Sequence, residues 1–172
     1  MIDQLPAIVV LAAFAGTILY AAASDLTSYT IPNRASLALL GAFALFAPLS
    51  GLSLETLAWH LAAFAAVLTG TFLLFAMGWI GGGDAKLAAA IALWIGWPLL
   101  PAYLFQTAMF GAGLTLALVL MRRFPLPLAL ARVGWVSRLH DPRAGVPYGV
   151  ALACSAFAAL PALPVWRLAF PT

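Results

Sequence analysis

The strongest constraint on this chain is where its charges fall. Only 8% of the 172 residues are charged, leaving uncharged runs over 5–24, 35–54, 56–83, 87–121 and 144–166. A bilayer core of about 30 Å takes about 20 helical residues to cross, so every run can supply a span. The run over 87–121 is too long for one crossing. Pro98-Leu99-Leu100-Pro101 divides it, because closely spaced prolines interrupt helical hydrogen bonding. The pattern predicts an all-α, polytopic membrane bundle of about six transmembrane helices, forming a single domain over residues 1–172. Hydrophobic residues make up 65% of the chain, against about half in a soluble domain, so a water-soluble fold is excluded.

Basic residues set the expected orientation. With six spans, the loops at 25–34, 79–86 and 122–143 share one side and carry Arg34, Lys86, Arg122, Arg123, Arg132, Arg138 and Arg143. The other side keeps Arg167. Cytoplasmic loops collect Lys and Arg, so these loops are expected in the cytoplasm and both termini outside. Met1-Ile2-Asp3-Gln4 lacks the basic flank of a cleavable signal, and the first run is expected to persist as a span. The net charge of +3 is too small and too local for nucleic-acid binding. A lone Cys154 excludes a disulfide framework or a multi-cysteine zinc site; no metal or cofactor is expected. Residues 122–143, with Trp135 among arginines, read as an interfacial segment whose arginines meet lipid phosphates.

Few acids are present. Asp3 and Glu55 belong to an outward tail or loop, and Asp141 suits a surface ion pair. Asp25 and Asp84 remain, both on the cytoplasmic side, and ionisable groups in apolar surroundings are costly and mark function. Asp25 ends the first span, at the unfavourable pole of the helix dipole. Beyond it, Thr30-Ile31-Pro32-Asn33 reads as an extended turn with Asn33 capping the second span. Asp84 follows Gly81-Gly82-Gly83, which lets the backbone bend and neighbours approach closely. An ordinary N-cap role explains Asp84 equally well. From Asp84 to Trp97 a helix spans about 21 Å at 1.5 Å per residue, short of the bilayer core, which predicts a shallow aqueous notch at Asp84. Two carboxylates close together share a proton, so one can activate water while the other protonates the leaving group.

Other residues read as packing. His60 is expected at the outward interface, and Cys154 as a buried, inert thiol among small neighbours. Trp79, Trp94 and Trp97 are expected to mark interface levels. Gly111 and Gly113 suit tight helix contact, and Pro147 suits the first position of a helix.

Gly81-Gly82-Gly83-Asp84-Ala85-Lys86 resembles the Gly-x-Gly-Asp-x-Lys motif of type IV prepilin peptidases, within the Gly-x-Gly-Asp aspartyl proteases. Asp25 with Ile31-Pro32-Asn33, and Gly145-Val146-Pro147-Tyr148-Gly149, resemble two further stretches of that family in the same order. The resemblance implies Asp25 and Asp84 as the catalytic pair, with Gly81 and Gly83 shaping the turn at Asp84. It implies that Pro32, Asn33, Pro147, Tyr148 and Gly149 pack around the site, and assigns Lys86 no role. It further implies a bacterial inner-membrane peptidase, with a prepilin or pilin-like membrane protein as substrate and partner, cut behind its basic leader on the cytoplasmic face. Larger bifunctional members carry a cytoplasmic insert with paired Cys-x-x-Cys motifs and also N-methylate the product. This chain has one cysteine and no room for that insert, so it resembles the stand-alone peptidases of Flp/Tad-type pili, without methyltransferase activity. Presenilin-like proteases fit poorly, because they use more spans and a Tyr-Asp pair where this chain has Ser24-Asp25. The alternative reading is a non-enzymatic small transporter or assembly scaffold whose aspartates bind protons or cations.

Overall fold

Where no water can pair with the backbone, a chain must satisfy its own amides, and a helix does so within one segment. In a computed structural model describing residues 4–171, the regular elements are all helical. They are α1 (Leu5–Ser28), α2 (Asn33–Leu49), α3 (Leu54–Ala76), α4 (Gly82–Ile95), α5 (Leu100–Met121), α6 (Leu128–Ala131), α7 (Gly134–His140), α8 (Tyr148–Ala159) and α9 (Pro164–Ala169). Asp3 and the outward position expected for it lie outside the described residues. Helices α1, α3 and α5 are long and apolar enough to cross a membrane, whereas α2 and the stretch from Tyr148 to Ala162 are apolar but shorter.

The bundle is built around α4. This helix packs against α2, α3, α5 and α8, and every residue from Leu87 to Ile95 is buried. A helix apolar all round belongs in such a position, and the alanines of Ala88-Ala89-Ala90 let neighbouring backbones come close. At its far end Trp94, expected at an interface, is instead 2% exposed. Its indole N–H donates to the Leu39 carbonyl at 3.0 Å, and its ring lies against Phe14, Phe43 and Phe46. His60 is likewise buried rather than interfacial. Its Nδ1 meets the Leu93 carbonyl at 2.7 Å, and the ring rests on Gly96, where an added Cβ would stand 3.0 Å from Cε1. Trp79 and Trp97 are exposed.

Several boundaries differ from the charge-defined runs. Helix α1 continues through Asp25 to Ser28. The run over 56–83 stops being helical at Ala76, and the chain turns at Gly78 with φ 75°. Helix α4 ends at Ile95 and is followed by Gly96 at φ 70°, so a glycine in a conformation other residues avoid, rather than Pro98, terminates it. The last run is broken: 144–147 is not helical, Pro147 is the residue before α8, and a 3-10 turn at Leu160–Ala162 precedes α9. Pro161 and Pro164 carry no amide hydrogen for a continuous ladder. Cys154 is exposed, not buried. Gly111 does receive a close neighbour, since a Cβ there would collide with the Tyr148 ring, but a Cβ at Gly113 would meet nothing. Arg122 is spent inside the protein rather than reserved for lipid phosphate, donating to the Leu139 and Gly145 carbonyls at 3.0 and 3.1 Å. Asp141 accepts the Arg143 backbone N–H at 2.8 Å, a local turn instead of the expected ion pair.

Candidate active site

Asp25 lies in the last turn of α1, and Tyr29, the left-handed residue after it (φ 54°), donates its N–H to the Asp25 carbonyl at 2.8 Å. The chain then runs extended through Pro32 and enters α2 at Asn33. This tight return drives Ile31 into the protein, where it is buried. The Asp25 side chain is 5% exposed, and its Oδ2 accepts the Gly149 N–H at 2.7 Å. That amide belongs to the first turn of α8, so a carboxylate stranded at the wrong pole of its own helix is placed at the favourable pole of another. Gly149 permits this approach. A Cβ there would stand 2.9 Å from Asp25 Oδ2 and 2.9 Å from Ile31 Cδ1.

Asp84 is the third residue of α4, and the N-cap is Gly81, so the N-cap reading of Asp84 does not hold. Its carboxylate folds back on that cap: a Cβ at Gly81 would stand 2.9 Å from Asp84 Oδ2. The glycines serve close approach rather than unusual dihedrals, since Gly81 has φ −73° and ψ 145°. A Cβ at Gly83 would lie 3.0 Å from Ile31 Cβ, and one at Gly82 would lie 3.2 Å from Phe75 Cε2. Ile31 therefore wedges between the glycine turn that carries Asp84 and the glycine that binds Asp25. Two acids 59 positions apart in sequence thus lie at one end of the bundle, each beside a glycine-bearing turn, with Ile31 packed against Gly149 and Gly83.

Asn33 is not a side-chain cap for α2. It is that helix's first residue, and its Oδ1 accepts from Lys86 Nζ at 2.9 Å, which ties the start of α4 to the start of α2. Pro147 is fully buried and Tyr148 half-buried beside the site. Beside Asp84, helices α3, α4, α5 and α8 border a half-open cavity of about 190 Å³, lined among others by Leu74, Ile80, Tyr103, Thr107 and Tyr148. Asp84 Oδ1, Tyr103 Oη and Thr107 Oγ1 are buried with no hydrogen-bond partner. Sequence reading placed Ile31 only within the Ile31-Pro32-Asn33 stretch, with no packing role, and did not single out Tyr103 or Thr107. Two hydroxyls one turn apart in an uncharged span were the available signal for the last two.

Two buried or half-buried carboxylates at one end of an apolar helical bundle define a membrane protein equipped for acid–base chemistry. More specifically, the chain belongs to the type IV leader peptidase family, whose profile matches residues 8–116, a stretch that holds both aspartates. It is 31% identical over 132 residues to a prepilin leader peptidase/N-methyltransferase of Aeromonas hydrophila, covering 67% of this chain and 43% of that protein. A protein of the same name from Aeromonas salmonicida strain A449 is 38% identical over 66 residues, covering 35% and 23%. The chain thus spans less than half the length of the curated relatives it matches. No solved structure matches.

Proposed function

We propose that this protein is a membrane aspartic endopeptidase that removes the leader peptide of prepilin-like substrates, with Asp25 and Asp84 working as a pair on one water. The observation that carries this reading is that Ile31 packs against both Gly149, whose amide binds Asp25, and Gly83, the residue before Asp84, which brings the two acidic turns to one end of the bundle. Asp25, fixed by the Gly149 amide, is suited to remain a carboxylate and draw the proton from water. Asp84, with one oxygen unpartnered, is suited to give a proton to the departing amine. Peptide hydrolysis uses that division of labour for its two proton transfers. Gly81, Gly83, Pro32, Asn33, Pro147, Tyr148 and Gly149 shape the site, and Lys86 secures α4 to α2 through Asn33.

In this reading the site faces the cytoplasm, just inside the membrane boundary, with α1, α2, α3, α4, α5 and the α8 stretch as six crossings and both termini outside. The gathering of basic segments at the carboxylate end supports it: Arg138 donates to the Thr27 carbonyl at 3.4 Å, beside Asp25. A basic leader would wait on that face, its apolar helix in the bilayer. Four residues link α1 to α2, Tyr29 to Pro32, which leaves no space for an inserted unit between them. We therefore assign the chain, as one domain, the peptidase half of its relatives' double name and an Flp-type substrate.

The test is co-expression with an Flp-type prepilin and gel analysis of processing. Asp25→Asn and Asp84→Asn are each expected to lower cleavage by about 10³-fold or more, the order lost when a group of a cooperating pair is removed, at unchanged membrane abundance. Normal processing in either variant would sink the two-carboxylate reading and return the aspartates to a transport or scaffold role. The pH–rate profile is expected to show two ionisations belonging to the pair.

A further inference from the structure

The cavity beside Asp84 holds more polarity than its walls explain. Tyr103 is 1% exposed and Thr107 8% exposed, both on α5 and one helical turn apart. Neither hydroxyl has a partner, and neither does Asp84 Oδ1, yet all three residues line the same space of about 190 Å³. Thr71, on the α3 side, is different: its hydroxyl is satisfied by the Val67 carbonyl at 2.6 Å. Buried polar atoms are almost always paired. A hydrocarbon side chain filling the cavity would leave all three orphaned, whereas water would pair each of them. The volume far exceeds the roughly 10–15 Å³ that a single water needs. Tyr103 is also held in place, since Ser155 Oγ donates to its backbone carbonyl at 2.9 Å and locks α5 to α8 there.

We propose that Tyr103 and Thr107 are positioning residues for Asp84, joined to its Oδ1 through water in this cavity. The inference rests on the peptidase reading and deepens it. The hydroxyl pair holds the carboxyl group in the orientation from which it meets the scissile bond, and it does not itself touch substrate. The titratable groups facing Asp84 are Asp25 from α1, Tyr103 from α5 and Tyr148 from α8; α3 presents the neutral Thr71.

The experiment uses the full chain in detergent with a prepilin substrate, comparing Tyr103→Phe, Thr107→Val, Thr107→Ser and Asp84→Asn. Tyr103→Phe and Thr107→Val are each expected to lower kcat about tenfold, as loss of one hydrogen bond does. KM should stay constant, and one limb of the pH–rate profile should be displaced. Thr107→Ser keeps the hydroxyl and should restore both kcat and the profile. Wild-type kcat and pH profile in Thr107→Val would overturn the proposal, and so would a raised KM at constant kcat, which would make the cavity a substrate pocket. Melting temperatures identify a variant that fails to fold, and the Thr107→Val and Thr107→Ser pair then decides the matter alone. Normal cleavage by Asp84→Asn would instead remove the peptidase reading itself.

Discussion

Helices α4 and α5 are both apolar along their length, yet they occupy opposite situations. Helix α4 is sunk among four neighbours with every residue from Leu87 to Ile95 buried. Helix α5 buries only Leu100, Tyr103, Thr107, Gly111 and Leu118, and sends Phe105, Met109, Phe110 and Leu116 outward. In a bilayer, lipid tails are as apolar as leucine, so removal from lipid gains little. Close van der Waals contact and paired polar groups decide which helix goes inside. Alanine and glycine let α4 be surrounded. Large side chains hold the neighbours of α5 apart and suit it to lipid. The site follows from this arrangement, because the central helix delivers Asp84 to a point that α1 and α8 can also reach.

Overpacking should separate the two helices most sharply. Ala90→Leu, at a fully buried position, is expected to destabilise the protein by about 3 kcal/mol or more. Leu116→Ala, at a site 60% exposed, should cost about 0.5 kcal/mol or less. Thermal melting in one detergent compares them, and similar losses would break the distinction between an inner and an outer helix. Trp94→Phe comes next, at about 1–3 kcal/mol, since it removes both the bond to Leu39 and part of an aromatic cluster. The smallest effects lie within α5. Gly111→Ala should destabilise, because its Cβ runs into Tyr148. Gly113→Ala, two residues on and facing open space, should stabilise by about 0.5–1 kcal/mol through helix propensity. Equal signs for the two glycines would place the α5–α8 contact elsewhere.

Much of the fold was legible because a membrane chain must hide its charges. The gaps between charges located every long helix, and Pro98-Leu99-Leu100-Pro101 marked the turn between α4 and α5. Misplaced expectations share one cause: burial of a residue depends on what packs against it from a distant segment. Trp94 and His60 looked interfacial because amphipathic rings prefer that level. Each instead found a backbone carbonyl, at Leu39 and Leu93, that removed the need for water. Cys154 sits among small residues that do pack, but on the exposed side of α8, and the weak periodicity of an all-apolar helix does not reveal which side that is. Asn33 had the composition of a cap, yet its partner, Lys86, lies 53 residues away.

Composition and charge spacing alone determined that this chain is helical, membrane-bound and equipped with two acids where acids are costly, since those properties follow from the price of charge in hydrocarbon. Only the packed structure decided that Asp25 answers to the first turn of α8, that Ile31 separates the two acidic turns, and that Tyr103 and Thr107 share a cavity with Asp84. Such contacts arise where backbones approach within a glycine's width, and that closeness is a property of the assembled helices.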